Sequence, residues 1–356
     1  MLKVANINSR KIKSILFFGG TFDPIHSGHV NLCKSAIKKI KPDLTIVMPN
    51  KIPPLKTENT YAKPHDRIAM LKLAFKNVPH LIISEYEVRD ISDTPSYTYK
   101  TIKWLKKSYP NAKIYLLVGY DRLKDFNKWK NYKFILENST LFVGIRDKKH
   151  ILPEKLNAIK LNYEPIEISS KKLREYIEPK YLDQNVLKYI RTHYLYLNGQ
   201  VRPYMNEHRF EHTKRVVDTA LDIALNNGYE ALNKVIVAAT FHDICKQCDE
   251  KETLKICEKA DKKYFPTWHT LHGLAASIIM EKKMGIKDRD ILNAVKNHCV
   301  PTSSIDTLGK IIYLADKLEP KRTKEDIPNR KQYLELARNN IDEAFKQVLK
   351  ITQEKY

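Results

Sequence analysis

Two histidines spaced three residues apart, His26 and His29, follow closely on a glycine pair, Gly19 and Gly20. At this spacing both imidazoles can face one pocket at the start of a helix. Their ring N–H groups can stabilise the oxygens of a reacting phosphoryl group without either ring acting as a nucleophile. The glycines permit a tight turn, and the N–H groups at a helix start favour an anion. The segment therefore indicates a phosphate site, although a solvated helix start also fits two histidines.

A second set of histidines and aspartates recurs on a helical pattern in the C-terminal half. The set is His212, His242, Asp243, His272, His298 and Asp316. Burial for packing explains any one of them, but burying several unpaired imidazoles and carboxylates without a cation costs free energy. The set therefore predicts a metal centre, and nitrogen and oxygen ligands without thiolate favour Fe, Mn or Zn over Ca²⁺. His208 and His269 stay open as rival ligands on spacing alone.

Several polar or aromatic residues of the N-terminal half also lie where a ligand could bind. They are Lys56 in a proline-rich loop, Ser96, Tyr97 and Thr98 before a helical segment, Asp121 and Arg146 after apolar runs, Trp129, and Ser169, Ser170 and Arg174 at a helix start. Serine hydroxyls cap helices or bind anions, and an arginine fork matches phosphate oxygens. A flat indole can stack on a ring. By themselves these residues also fit caps, packed aromatics and solvated lysines.

Hydrophobic periodicity predicts the elements that must position these residues. Short segments composed mainly of apolar and β-branched residues occur at residues 15–18, 44–48, 81–83, 113–118 and 141–145. Such segments are typical of strands buried on both faces of a parallel sheet. After a break at residues 198–200, the apolar positions follow helical spacing. The sequence therefore predicts an α/β domain with a parallel sheet over residues 12–198, and an all-α domain over residues 204–356.

Length, cysteine usage and charge narrow the class of protein. A chain of 356 residues can form two cores, and its five scattered cysteines indicate reduced thiols. No apolar run reaches the length of a membrane span and the first residues lack a secretory signal, so we expect a cytoplasmic protein without a membrane partner. Residues 1–200 carry 36 Lys and Arg against 18 Asp and Glu, whereas residues 201–356 carry 27 against 23. Polyanions are therefore expected to be attracted to the first half.

The string GGTFDPIHSGH at residues 19–29 resembles the signature of the nucleotidyltransferase superfamily. Further segments resemble the bacterial nicotinate-nucleotide adenylyltransferases, which have a Rossmann-like fold: PNKIPPLK, SYT, GYDRL followed by KW, and ISSKKLR. In PNKIPPLK, Leu55 replaces the family's usual histidine. Because the ordered motifs span residues 12–198, chance agreement is far less frequent than for a single motif.

This resemblance implies that the phosphate of nicotinate mononucleotide attacks the α-phosphorus of ATP, giving deamido-NAD and pyrophosphate, with Mg²⁺ bridging the phosphates. His26 and His29 would contact the triphosphate. The implied ATP and phosphate contacts are Gly19, Gly20, Thr21, Phe22, Lys56, Ser169, Ser170 and Arg174. The implied contacts to nicotinate mononucleotide are Ser96, Tyr97, Thr98, Asp121, Trp129 and Arg146, with the indole facing the nicotinate ring.

The H…HD…D order of the second half resembles the HD-domain phosphohydrolases. RFEH, FHDICK, LHG, NHC and YLADKLEPKR together resemble one bacterial branch, the symmetrical dinucleoside tetraphosphatases. The resemblance implies one ion held by His212, His242, Asp243 and Asp316, and a second held by His272 and His298, with Asp243 bridging the two. Water activated by these ions would attack diadenosine tetraphosphate and give two ADP. Lys246, Glu319 and Arg322 are implied phosphate or outer-sphere contacts.

Two other interpretations stay open. The same folds could act on other substrates, such as phosphopantetheine in the first domain or a guanosine polyphosphate in the second. The chain could instead be a basic nucleic-acid-binding protein with a degenerate HD scaffold. The complete metal set and the absence of a recognised nucleic-acid motif argue against a nucleic-acid partner. The residues leave the oligomeric state open, including a homo-oligomer.

Overall fold

The computed structural model describes residues 9–52, 62–90, 94–123, 125–145, 156, 158–263, 265, 267–302, 304–322 and 327–354. Lys56 and Arg146 lie outside these residues. The chain forms two compact units: Met1–Arg174 with Glu178–Leu187, and Glu175–Ile177 with Lys188–Tyr356.

The units divide earlier than the predicted boundary at residues 198–204. Residues 188–198 belong to the second unit, where the Arg191 guanidinium donates a hydrogen bond to the Lys283 carbonyl at 2.9 Å. Local hydrophobic periodicity does not encode a contact between residues so far apart in sequence, so it does not predict this boundary. The domain ranges 12–198 and 204–356 stay a prediction.

The described part of the first unit contains a six-stranded parallel sheet. Its strands are β1 (Ser14–Gly20), β2 (Leu44–Pro49), β3 (Leu81–Ile83), β4 (Lys113–Gly119), β5 (Thr140–Ile145) and β6 (Ile159–Asn162). They lie in the order β3-β2-β1-β4-β5-β6, and each neighbouring pair is parallel. Ile15 and Leu16 of the central β1 are fully buried, as expected for a strand covered on both faces.

Helices connect these strands. They are α1 (Ser27–Ile40), α2 (Pro64–Ala74), α3 (Thr98–Ser108), α4 (Tyr120–Leu123), α5 (Tyr132–Asn138) and α6 (Ser170–Glu175), followed by α7 (Gln184–Thr192), which runs from the first unit into the second. Ile102 and Leu105 of α3 and Ile135 of α5 are buried in one cluster with strand residues such as Ile46 and Val143. The predicted α/β fold with a parallel sheet is confirmed.

All regular secondary structure among the described residues of the second unit is helical. Its helices are α8 (Leu197–Val201), α9 (Glu207–Asn226), α10 (Leu232–Phe241), α11 (Glu250–Ile256), α12 (His272–Lys282), α13 (Arg289–Asn297), α14 (Thr307–Leu318), α15 (Arg330–Asn339) and α16 (Ile341–Gln353). Val216, Phe241, Ile279, Val295 and Ile312, from five of these helices, belong to one buried core. The predicted all-α fold is confirmed. Across the described part of the chain, every helix is too short or too polar to cross a membrane.

Candidate active sites

The carboxyl ends of β1 and β4 lie side by side near the centre of the first unit's sheet. From these two strands the chain order runs outward in opposite directions, since β2 follows β1 on one side and β5 follows β4 on the other. Open parallel sheets bind ligands in the crevice that forms beyond the strand ends at such a point. β1 ends with Gly19 and Gly20, and β4 ends with Gly119. The predicted phosphate site therefore lies where the fold offers space to a ligand.

The backbone of residues 20–26, here called the phosphate turn, is held by a buried arginine. Arg67, which is fully buried on α2, donates from Nη1 to the Thr21 carbonyl at 2.9 Å. Phe22 has a φ of 53°, and a Cβ added to Gly20 would lie 2.8 Å from the Phe22 ring. Gly20 is thus required by close packing. This role of Arg67 was not predicted. The local sequence shows only a single arginine beside the apolar positions of a helix, which is a weak indication of such a contact.

His26 and His29 stand together at the N-terminus of α1. Their ring centroids are 3.8 Å apart with the planes inclined at 31°, and the edge of Phe22 meets His29 at 5.2 Å. A Cβ added to Gly28 would lie 3.1 Å from two atoms of the His26 ring, so glycine lets that ring fold against the helix. The structure brings the two predicted imidazoles together beside the backbone N–H groups of a helix start, which favour an anion.

The predicted serine and arginine motif lies against the same turn. The Ser170 hydroxyl donates to the Pro24 carbonyl at 2.9 Å, and Arg174 Nη1 donates to the Asp23 carbonyl at 2.8 Å. The Ser169 hydroxyl accepts the Lys172 N–H at 3.2 Å. Two segments about 145 residues apart therefore form one phosphate-binding candidate, with Thr21 and Phe22 inside it.

The other predicted contacts of the first unit include a group around Ser96 and Tyr97. The Ser96 hydroxyl accepts the Lys51 N–H at 3.0 Å, and Lys130 Nζ lies 4.8 Å from the centre of the Tyr97 ring. Lys130 is the sequence neighbour of Trp129, whose ring lies 4.9 Å from that of Phe126. Asp121 is the second residue of α4, the short helix after β4, and 66% of its side chain is exposed.

A buried carboxyl beside this group was not predicted. Glu87 accepts a hydrogen bond from the Thr101 hydroxyl at 2.5 Å. Burial raises the pKa of Glu87 to about 7, although hydrogen bonds from Thr101 and Ser96 act in the opposite direction. The sequence around Glu87 is a charged loop, which carries no signal of burial.

Glu87→Gln is expected to remove a pH dependence of stability. Below about pH 4.5 the wild-type carboxyl is protonated in both the folded and unfolded chains. Between about pH 4.5 and pH 7 the unfolded chain loses this proton while the folded chain keeps it, so the free energy of unfolding falls by about 3 kcal/mol. The uncharged amide avoids this loss. Urea unfolding at about pH 5 and pH 8, followed by tryptophan fluorescence, measures the difference. The exposed Glu137→Gln should behave as wild type, and an equal pH dependence in both variants would contradict the assignment.

In the second unit, the predicted metal ligands converge on Asp243. One carboxylate oxygen, Oδ2, lies 3.3 Å from His242 Nε2 and 3.8 Å from His212 Nε2. The other, Oδ1, lies 3.1 Å from His272 Nε2 and 3.6 Å from His298 Nε2. Asp316 completes the first set, with Oδ1 at 3.2 Å from His212 Nε2. Asp243 thus separates two sets of donors, in the arrangement that a bridging carboxylate requires.

The second ring nitrogen of each of these histidines is held by an oxygen. Nδ1 of His242, His272 and His298 lies 2.7 Å from the carbonyls of Ala239, His269 and Val295, respectively. Nδ1 of His212 lies 3.1 Å from Glu319 Oε1. Such contacts fix the tautomer and the ring orientation, leaving Nε2 as the donor atom toward the centre.

The surrounding charges keep the carboxylates ionised. Burial alone would raise the pKa of Asp243, but the imidazoles of His242, His272 and His298 hold it well below its ordinary value. For Asp316, burial is outweighed by the nearby Lys317 and Arg322, which lower the pKa well below its ordinary value. Both carboxylates are therefore available as ligands at neutral pH.

Glu319 and its partners form the outer layer of the site. Although burial would raise its pKa, hydrogen bonds from His212 and Arg215 lower the pKa of Glu319 to about 2. Arg322 Nη1 donates to Asp316 Oδ1 at 2.7 Å, and the exposed Lys246 places Nζ 3.5 Å from His272 Nδ1. Glu319 and Arg322 thus lie where outer-sphere contacts were predicted.

Three further residues of the site were not predicted. Arg209 donates to Asp243 Oδ2 at 2.7 Å, and Arg215 donates to Glu319 Oε2 at 2.9 Å. Each lies three residues from His212 on α9, a spacing that could have revealed both. Cys299 Sγ lies 3.0 Å from His272 Nε2, so a sulfur atom lies beside the predicted nitrogen and oxygen donors. The rivals His208 and His269 are exposed at the surface.

The donor set fits divalent cations. Nε2 of His212 and Nε2 of His242 are buried without a hydrogen-bond partner within the described structure. Three donor groups, His212 with His242 and Asp316, His242 with Asp243 and His298, and His272 with His298 and Cys299, each lie within 4.8 Å. Imidazole and carboxylate donors that share a buried centre suit Zn, Fe or Mn.

Each half of the chain matches a known protein family. Residues 17–176 match the cytidylyltransferase-like family, and residues 209–321 match the HD domain. A probable nicotinate-nucleotide adenylyltransferase/Ap4A hydrolase of Mycoplasma genitalium is 35% identical, covering 96% of this chain and 98% of its own length. A Mycoplasma pneumoniae protein of the same description is 30% identical, covering 87% and 90%. The nicotinate-nucleotide adenylyltransferase of Bacillus subtilis is 30% identical, covering 52% of this chain and 99% of its own length.

Two donor-rich sites, on two different folds, thus occur in a chain that aligns with these relatives almost from end to end. The protein is an enzyme of the nicotinate-nucleotide adenylyltransferase/Ap4A hydrolase family, in which a cytidylyltransferase-like domain precedes an HD domain.

Proposed function

We propose that the first unit transfers the adenylyl group of ATP to nicotinate mononucleotide, and that the second unit hydrolyses diadenosine tetraphosphate to two ADP. The observation that carries the proposal is the convergence of each predicted residue set, at the phosphate turn and around Asp243. The Mycoplasma genitalium relative, whose description names both activities, supports the choice of substrates.

In the first reaction, an oxygen of the nicotinate mononucleotide phosphate bonds to the α-phosphorus of ATP while the bond to the β-phosphate breaks. Pyrophosphate leaves, and the product is deamido-NAD. We assign His26, His29 and the N–H groups at the start of α1 to donate to phosphate oxygens on which charge develops, which is where preorganised donors lower a barrier. Mg²⁺ bound with ATP would spread that charge over the phosphates.

The nicotinate ring is assigned to the group formed by Ser96, Tyr97, Thr98 and Trp129. Trp129 Nε1 is a buried donor without a hydrogen-bond partner among the described residues, and a polar ligand group could satisfy it. The aromatic faces provide stacking area, and Lys130 beside Tyr97 provides positive charge for an acidic ligand. Asp121, at the end of β4, is assigned to ribose hydroxyls.

In the second reaction, water adds to a phosphorus of diadenosine tetraphosphate, and the central phosphoanhydride breaks to give two ADP. We assign His212, His242, Asp243 and Asp316 to one ion, and His272 and His298 with Asp243 to the other. Two bound divalent ions would polarise the phosphoanhydride and lower the pKa of water. The exposed Lys246 and the inward-facing Arg209 and Arg322 supply positive charge to the polyphosphate.

Substrate assays on the purified full-length protein test the proposal. With ATP, nicotinate mononucleotide is expected to release pyrophosphate, whereas phosphopantetheine is not. Diadenosine tetraphosphate is expected to give ADP alone after metal loading. Pyrophosphate release only with phosphopantetheine would overturn the first assignment. Formation of AMP with ATP, or cleavage of a guanosine polyphosphate alone, would overturn the second.

A further inference from the structure

The half-exposed Cys299 follows His298 directly at the end of α13. Its Sγ lies 3.0 Å from His272 Nε2 and 3.2 Å from His298 Nε2, while the two nitrogens lie 3.2 Å apart. Asp243 Oδ1 lies 3.1 Å and 3.6 Å from the same two nitrogens. The sulfur and the two imidazole nitrogens lie within 4.8 Å of one another, and Asp243 adjoins both imidazoles; these four residues are here called the sulfur cluster.

The separations fit donors around one ion. With Zn–N bonds of about 2.1 Å and a Zn–S bond of about 2.3 Å in a tetrahedron, two nitrogens lie about 3.4 Å apart, and nitrogen and sulfur about 3.6 Å apart. The nitrogen–nitrogen distance of 3.2 Å and the nitrogen–sulfur distances of 3.0 Å and 3.2 Å are shorter by about 0.2 Å to 0.6 Å, so these donors must spread by that amount around an ion. Both imidazoles already point Nε2 inward, because carbonyl oxygens hold their Nδ1 atoms.

We propose that Cys299 is a thiolate ligand of the second metal ion of the HD domain, beside His272, His298 and Asp243. The proposal rests on the metal centre assigned above and adds a ligand to it. Sulfur is the softest donor in the cluster, so the second position is expected to prefer Zn²⁺ or Fe²⁺ over Mn²⁺, while the first position has nitrogen and oxygen donors alone.

Cobalt binding to the full-length protein tests this ligand apart from activity. After removal of metal with a chelator, Co²⁺ is titrated while its bound amount and the absorption spectrum are recorded. The wild type is expected to bind two ions and to show a sulfur-to-cobalt charge-transfer band in the near ultraviolet. Cys299→Ser is expected to lose the band and to bind the second ion at least about tenfold more weakly.

Two further variants separate ligation from structure. Cys248→Ser, at another half-buried cysteine of the same unit, is expected to keep the band. Cys299→His supplies a donor without sulfur, and is expected to retain the second ion while losing the band. Two bound ions without a band in the wild type, or an unchanged band in Cys299→Ser, would overturn the ligand while leaving the metal centre intact. A wild type that binds no cobalt would overturn both.

Discussion

Asp243→Asn is expected to lower hydrolysis of diadenosine tetraphosphate by roughly a thousandfold or more, while adenylyl transfer stays at the wild-type rate. Asp243 offers one oxygen to each set of histidines, so the amide removes the charge that both ions share. Metal ions contribute several kcal/mol to such reactions, which corresponds to this factor in rate. Rates of ADP and pyrophosphate formation, together with metal content, measure the effect on the same preparation.

Asp218→Asn provides the matched control, because Asp218 lies on α9 with an exposed side chain. It should keep both activities and the full metal content. If Asp243→Asn retained hydrolysis and two bound ions, Asp243 could not be the shared ligand. If both activities fell together, the variant would have lost its fold rather than its metal site.

His29→Ala is expected to lower the kcat of adenylyl transfer by about 10²- to 10³-fold, with a smaller change in KM. The ring stands 3.8 Å from His26 at the start of α1, where its N–H would meet charge that develops mainly in the transition state. His26→Ala should have a similar effect, and the double variant should lose less than the product of the two factors, because the rings act on one group. Steady-state pyrophosphate release measures both constants.

His65→Ala is the control for these variants, since His65 lies in the first turn of α2 with 71% of its side chain exposed. It should keep the wild-type kcat, and all four variants, the double variant included, should keep hydrolysis of diadenosine tetraphosphate. A His29→Ala enzyme with wild-type kcat and a raised KM would mean that the imidazole only binds ATP and does not stabilise the transition state.

Local patterns predicted the five apolar strands and missed the polar one. β1, β2, β4 and β5 consist mainly of apolar and β-branched residues, and even the three-residue β3 was predicted from its sequence. β6 was not predicted, because only Leu161 of its four residues is buried and it pairs on one side alone. An edge strand with one buried residue has no hydrophobic period to detect. Its pairing depends on β5, which the local sequence does not encode.

Residue types and motif spacing located both candidate sites, but not the contacts that support them. The Ser170 and Arg174 hydrogen bonds to Pro24 and Asp23 join segments about 150 residues apart. The burial of Glu87 and the approach of Cys299 to His272 likewise depend on how elements pack. These features required the folded chain, because a side chain's partner is set by tertiary packing rather than by its neighbours in sequence.

The histidines around Asp243 differ in which substitutions elsewhere in the chain would change the orientation of their rings. In His242, His272 and His298, Nδ1 lies at hydrogen-bond distance from the main-chain oxygen of the residue three positions earlier. Since every amino acid carries that oxygen, positions 239, 269 and 295 can change identity without turning the rings. His212 relies instead on a side chain, Glu319. We therefore expect Glu319 to be retained wherever His212 is retained among homologues, while positions 239, 269 and 295 vary independently.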